Sequence, residues 1–217
     1  VCTVQAEVIE SGSIVINARL FGEIIRRLPD NDVVIEVDEK NLMHITCGMA
    51  YFEISVSNSM DYPDLPEADG RRSVRIKSSL LKDMLARTNF AVSYDDTRPI
   101  QTGSLFDIEN GELTIVAVDG FRLALRRETL ADAEEHHFVV PGPALVEVER
   151  IAADDDSEVV IYPGDKHVMF NVGPAVVICR RLEGEFLDYK RSIPQSGKYY
   201  VTADRAQLIS MVERVAL

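Results

Sequence analysis

Apolar and polar positions along this chain fall into two periods, one near 3.6 and one of two, and their order predicts a repeated motif. Leu80, Leu81, Met84 and Leu85 share one face at helical spacing, with Lys82 and Arg87 on the other, and Ser78 or Ser79 is the expected N-cap. Ser104–Ile108 and Leu113–Val118 read as strands on either side of Asn110-Gly111, a pair that accepts the positive φ angles of a tight hairpin. Asp119-Gly120 turns the chain into Phe121–Arg126, whose alternation sets Phe121, Leu123 and Leu125 on one face and Arg122 with Arg126 on the other. A strand over 138–140, a helix over 142–152 and strands near 158–162, 167–172 and 175–182 repeat that order. Further helices are predicted over 17–28, 77–89 and 203–216.

The order itself recurs along the chain. Val15, Val33, Lys40 and Tyr62-Pro63-Asp64 return as Val139, Val159, Lys166 and Phe186-Leu187-Asp188, at offsets of 124 to 126 residues. That period is too long for a solenoid and suits a domain. Val74-Arg75-Ile76, Met84 and Arg87 return once more as Tyr200-Val201, Met211 and Arg214. Parts of three similar units are therefore expected: the second half of a first over 1–70, an entire second over 71–197, and the start of a third over 198–217. The Pro-, Gly- and charge-rich segments 57–73 and 183–198 are the expected junctions. Antiparallel meanders backed by helices make the fold class α+β, built from β-α-β-β-β units.

Composition narrows the function. With 46% apolar residues and no apolar run approaching 18, no membrane-spanning helix is expected. The chain opens at Val1 in strand-like sequence, so no signal peptide is expected within these residues. Cys2, Cys47 and Cys179 are odd in number and form no CxxC pair, which argues against disulfides and zinc and for buried thiols in a reducing, cytoplasmic setting. His136-His137 beside Glu134-Glu135 is read as part of a solvated loop over 131–137, and Asp154-Asp155-Asp156 as a solvated turn, in preference to metal sites. The phosphate-binding, zinc-protease and nucleophile-elbow motifs are missing, and Asp119 before Gly120 is a turn residue before it is a catalytic acid.

A formal charge of −13 opposes nucleic-acid binding at first sight. The predicted helices, however, hold nine basic against six acidic residues, about +3, which leaves about −16 on the remainder. A cationic helical face on an acidic body is the expectation.

One surface suits a peptide partner. Val118–Ala124 and Phe186–Ser192 set apolar groups beside a turn rimmed by Arg122 and Arg191, an arrangement able to anchor one or two hydrophobic side chains. On composition alone both segments read as core before they read as surface.

These residues also carry a resemblance. Val116-Ala117-Val118-Asp119-Gly120-Phe121-Arg122-Leu123-Ala124, preceded by Asn110-Gly111-Glu112-Leu113 and followed by Phe138-Val139-Val140-Pro141, Phe186-Leu187-Asp188-Tyr189 and Ile193-Pro194, closely resemble the bacterial sliding clamps, the β subunits of the replicative DNA polymerase III. The likeness spans essentially the whole sequence. It implies the DNA-clamp fold and a cytoplasmic, head-to-tail homodimeric ring without chemistry or cofactor of its own. Helices line a hole for duplex DNA, read without regard to sequence, and sheets face outward. Polymerase, clamp loader and repair proteins bind such a ring through short peptides. The implied groove residues are Gln101, Val118, Gly120, Phe121, Arg122, Leu123, Leu187, Arg191 and Ser192. Gln101 stands where the family has an aliphatic residue and Leu187 where it has proline. Arg19, Arg26 and Arg98 are the implied DNA contacts, Phe52 and Ile54 the implied subunit contact. The third-domain wall of the groove and the other side of the subunit contact are expected outside this sequence. The alternative is a clamp-derived interaction module that binds peptides and never encircles DNA.

Overall fold

Four antiparallel sheets carry the chain among the residues described in the computed structural model, which are 1–62, 66, 73–130, 134–194 and 196–216. The chain divides into two compact units, Cys2–Ala68 and Asp69–Leu217, the latter with Val1. The expected 70/71 junction, Pro63-Asp64 of the repeat and residues 131–133 lie outside the described residues.

In the first unit β1 (Ile14–Val15) is followed by α1 (Ala18–Ile25), β2 (Val34–Val37), β3 (Leu42–Cys47), β4 (Ala50–Ser55) and β5 (Ser57–Asn58). Asn17 caps α1, its Oδ1 accepting the Leu20 amide at 3.0 Å. Strands β2, β3 and β4 form one sheet, and β1 pairs with β5. Ile24, Met43, Ile45 and Val56 make the core, with Ile54 packed against it.

The second unit is built from two copies of one motif: β6 (Val74–Lys77), α2 (Ser78–Ala86), β7 (Gly103–Glu109), β8 (Glu112–Val118) and β9 (Leu123–Thr129), then β10 (His136–Pro141), α3 (Gly142–Ile151), β11 (Glu158–Pro163), β12 (His167–Val172) and β13 (Ala175–Arg180). The copies exchange their first strands. β10 joins the sheet β10-β7-β8-β9, and β6 joins β13-β12-β11-β6. Each sheet thus takes one strand from the other half, and a single core joins both: Phe106 and Ile115, Leu81 and Met84, Leu145 and Val148, Ile161 and Phe170. Phe106 stacks on Phe138 at 5.3 Å and meets Phe170 edge-on at 6.2 Å.

Local rules account for the connections. Asn110 and Gly111 take φ of 53° and 74° in the β7–β8 turn, the left-handed pair that matches strand twist. The expected serine cap of α2 is replaced. Lys77 is the N-cap and its side chain bonds Asp156 at 2.9 Å and not the helix, while the Ser78 and Ser79 amides donate to the carbonyls of Ser157 and Asp155 at 2.7 and 3.0 Å. The acidic turn over 154–156 and Ser157 after it therefore close a helix end with backbone oxygens. Gly103 is needed for a close approach, since a Cβ there would sit 2.3 Å from the Val140 carbonyl oxygen on β10.

Several expectations are corrected. Phe121 is not a strand residue: β9 begins at Leu123, and Phe121 is fully exposed. His136 and His137 open β10 and pair with Ile108 and Asp107, so the loop ends sooner than expected. Cys47 is buried and Cys179 half-buried, with burial pushing its thiol up to about 11, but Cys2 is exposed. The four predicted helices, at their observed bounds, hold five basic and five acidic residues. Their surplus lies at the ends, on Arg26, Arg27, Lys77 and Arg87, less Asp204. Arg26 and Arg87 sit at helix C-caps, where the helix dipole favours a cation.

After β13 come the short helix α4 (Tyr189–Ser192) and, beyond it, α5 (Arg205–Val215), capped by Asp204 and exposed along its length. Among the described residues no helix is long and apolar enough to cross a membrane.

Candidate functional site

The sheet β10-β7-β8-β9 is covered on both faces. One face meets α2 and α3; the other carries Leu105, Val116, Val118 and Val139, covered by Phe186 ahead of α4 and by Tyr189, its first residue. Leu123, Leu125, Ile100 and Leu182 pack around this second cluster. Apolar covering of this kind holds a connecting segment on a sheet without a strand.

At the cluster's edge the 119–122 turn is tied by one carboxylate. Asp119 Oδ1 accepts the amides of Phe121 and Arg122 at 3.0 Å each, and Oδ2 accepts Arg122 Nε at 2.8 Å. The Phe121 amide first, then the Arg122 amide and guanidinium, hold the Asp119 carboxyl below its ordinary range. Gly120 has φ of 87°, a conformation that favours glycine. The turn throws Phe121 fully into solvent and stands Arg122 over the Phe90 ring, 5.6 Å from its centroid.

Of the expected groove residues, Val118 and Leu123 lie in or against the apolar cluster, and Gly120, Phe121 and Arg122 form its turn. Gln101 sits half-buried in the 3-10 turn Pro99–Thr102, next to Ile100. Leu187 is 44% exposed beside buried Phe186. Arg191 and Ser192 are exposed on α4, where Arg191 Nε lies 3.0 Å from Asp188. Apolar side chains, exposed anchors and two guanidinium groups thus occur on elements that share one cluster.

The residues expected on DNA divide. Arg98 lies against the turn, its Nη1 3.8 Å from where a Gly120 Cβ would stand. Arg19 on α1 is exposed, with Glu23 at 3.5 Å, and Arg26 is exposed at the C-cap. Phe52 and Ile54 lie on β4, an edge strand, where Phe52 is partly exposed and Ile54 is packed on the core.

Two residues of this region, Phe90 and Asp107, escape sequence reasoning, and so does the contact Asp107 makes with Tyr189. Phe90 supports Arg122 from a 3-10 turn, Asn89–Ala91, that has no strong local signal. Asp107 and Tyr189 are joined by a hydrogen bond of 2.7 Å across 82 residues, a distance in sequence that no local pattern spans. Asp107 Oδ1 also faces His137 Nδ1 at 3.3 Å, and Lys190 Nζ lies 3.8 Å from Oδ2. Burial raises the Asp107 carboxyl, but the Tyr189 and His137 hydrogen bonds and the Lys190 charge outweigh it, so its pKa is held below the ordinary value. Among the described residues no three His, Cys, Asp or Glu side chains are grouped to hold a metal ion.

A duplicated α+β scaffold with exchanged first strands is the class the fold defines. Residues 75–188 match the family profile of the DNA polymerase III beta subunit, central domain, and residues 1–66 that of its N-terminal domain. The chain belongs to the DNA polymerase III beta-subunit family and has the sliding-clamp fold. The beta sliding clamp of Staphylococcus epidermidis is 36% identical over 214 residues, covering 94% of this chain and 57% of that protein. The Staphylococcus aureus clamp is 34% identical over 209 residues, covering 96% and 55%. Among solved structures, the DNA polymerase sliding clamp of Bacillus subtilis matches with a TM-score of 0.90 at 34% identity, covering 95% of this chain and 55% of that one. The DNA polymerase III subunit beta of Pseudomonas aeruginosa gives 0.88 at 31%, covering 98% and 59%. The chain spans little more than half the length of the relatives it matches. Its family is one of non-catalytic polymerase subunits.

Proposed function

We propose that this chain serves a sliding clamp, a cytoplasmic processivity factor that encircles duplex DNA as a homodimeric ring and tethers replication proteins by short peptides. Residues 1–70 are then the second half of a first clamp domain, 71–197 an entire second, and 198–217 the opening of a third. The carrying observation is the apolar cluster of Val118, Leu123, Phe186 and Tyr189, edged by exposed Phe121 and Leu187 and by Arg122 and Arg191. An apolar cluster edged by exposed apolar side chains and guanidinium groups suits a peptide of one or two apolar anchors and an acidic or polar flank. In this reading Gln101, Gly120 and Ser192 shape the groove, Arg19, Arg26 and Arg98 meet DNA phosphate, and Phe52 with Ile54 belong to the subunit contact. DNA affinity need not be high, since nonspecific binding of roughly 10⁻⁴ to 10⁻⁶ M suffices once a ring is closed.

One observation favours a second reading, a peptide-binding module that never encircles DNA: the formal charge is −13, and Arg19 on α1 is already paired with Glu23 at 3.5 Å. Two measurements separate them. Fluorescence anisotropy with a labelled peptide from the clamp-binding segment of a replicative polymerase tests the groove; griselimycin, to which a Pseudomonas aeruginosa clamp 32% identical to this chain was solved bound, is a second probe. Loading of the native protein onto closed circular DNA tests the ring. Retention on the circle and release on cutting it support a clamp; peptide binding without retention supports the module; no binding of either probe overturns the groove.

A further inference from the structure

α4 reaches the groove without a backbone tether. Leu182 donates its amide to the Val139 carbonyl at 2.9 Å, and among the described residues no backbone hydrogen bond ties 183–193 to the sheet after that. What holds this segment is side chains. Phe186 and Tyr189 bury apolar area, which is strong but without direction. Lys190 pairs with Glu109 at 2.9 Å in the open, where an ion pair contributes little. The remaining contact has direction and is shielded. Tyr189 is 4% exposed, the Asp107 side chain 14%, and the phenol hydroxyl donates to Oδ2 at 2.7 Å.

From this geometry we infer that Asp107 is a positioning residue for the peptide groove, fixing through Tyr189 the rotation of the short helix that presents Arg191 and Ser192 and follows Leu187. The inference rests on the groove proposed above. His137 orients the other carboxylate oxygen at 3.3 Å, and Lys190 adds its charge at 3.8 Å, so both Asp107 oxygens are engaged and its rotamer is set from two sides. Asp107 touches no peptide; it acts through α4.

Two near-isosteric changes test it. Tyr189→Phe keeps the ring in the cluster and removes the hydroxyl; Asp107→Asn keeps the shape and removes the charge. Each should weaken the labelled peptide roughly three- to tenfold, the worth of one ordinary hydrogen bond, since the contact acts on the peptide only through α4. The double variant should lose no more than the worse single, because both act through one contact. Hydrogen exchange should quicken at 189–193 in each variant, and Arg75→Gln, on the other sheet, should bind as the parent does. Unchanged affinity and exchange in both variants, or losses that add in the double, overturn the inference. A parent chain that binds no peptide overturns the groove instead, and faster exchange at 189–193 in Tyr189→Phe still decides the tether.

Discussion

At the scale of single residues, the 119–122 turn separates binding from folding. Phe121 is wholly exposed, so it adds nothing to the core, and its ring is available to a partner. Phe121→Ala should leave the thermal midpoint unchanged and cost peptide binding on the order of 1 to 2 kcal/mol, read by anisotropy. Arg122→Ala should cost a similar amount, since the guanidinium is held in place by Asp119 and Phe90 before any peptide arrives. Acid should act through Asp107, which faces Tyr189, His137 and Lys190. Its pKa is depressed in the fold, so its stabilisation is fully present above the ordinary aspartate value of about 3.9 and is lost as pH falls through the depressed one. Stability of the parent should therefore fall more steeply below that pH than stability of Asp107→Asn, measured by denaturant titration across the acid range. Sequence made the turn legible because Asp-Gly before alternating residues has one cheap conformation. It did not disclose that Phe121 lies outside the strand: alternation continues through it, and only the carboxylate bonds of Asp119 show the chain still turning there.

At the scale of elements, close approach and helix ends matter more than propensity. A methyl group at Gly103 would meet the Val140 carbonyl at 2.3 Å, and a backbone oxygen in a paired strand has little room to move. Gly103→Ala should destabilise by about 1 to 3 kcal/mol, as overpacking does, seen as a lowered thermal midpoint with unchanged secondary structure. A smaller fall than that would mean the β7–β10 pair slides to accommodate the methyl. Strand and helix existence was legible here from periodicity and from Asn110-Gly111. The closing of α2 was not, because its partners Asp155 and Ser157 come from the other half of the unit and act through backbone carbonyls that no side chain advertises. The basic surplus of the helices sits on residues that cap or flank them, Arg26, Arg27, Lys77 and Arg87, which in sequence look like residues of a helix face.

At the scale of the whole second unit, the exchange of first strands decides how it comes apart. The recurring order of strand, helix and three strands showed that two copies exist within the unit, but that order is the same whether each copy pairs with itself or with its neighbour. β6 pairs with β11 and β10 with β7, so neither half can open without removing a strand from the sheet of the other. Phe106, Phe138 and Phe170, from both halves, meet in one core. Residues 73–194 should therefore unfold as one cooperative step, with the amides of β6 and β10 protected against exchange to the same free energy as those of β8. Native-state hydrogen exchange in rising denaturant measures this directly. If β6 with α2 exchanged at a lower free energy than β10 with α3, the halves would be opening one at a time, and the exchanged strands would be fastenings added to two domains in place of the joint that makes them one.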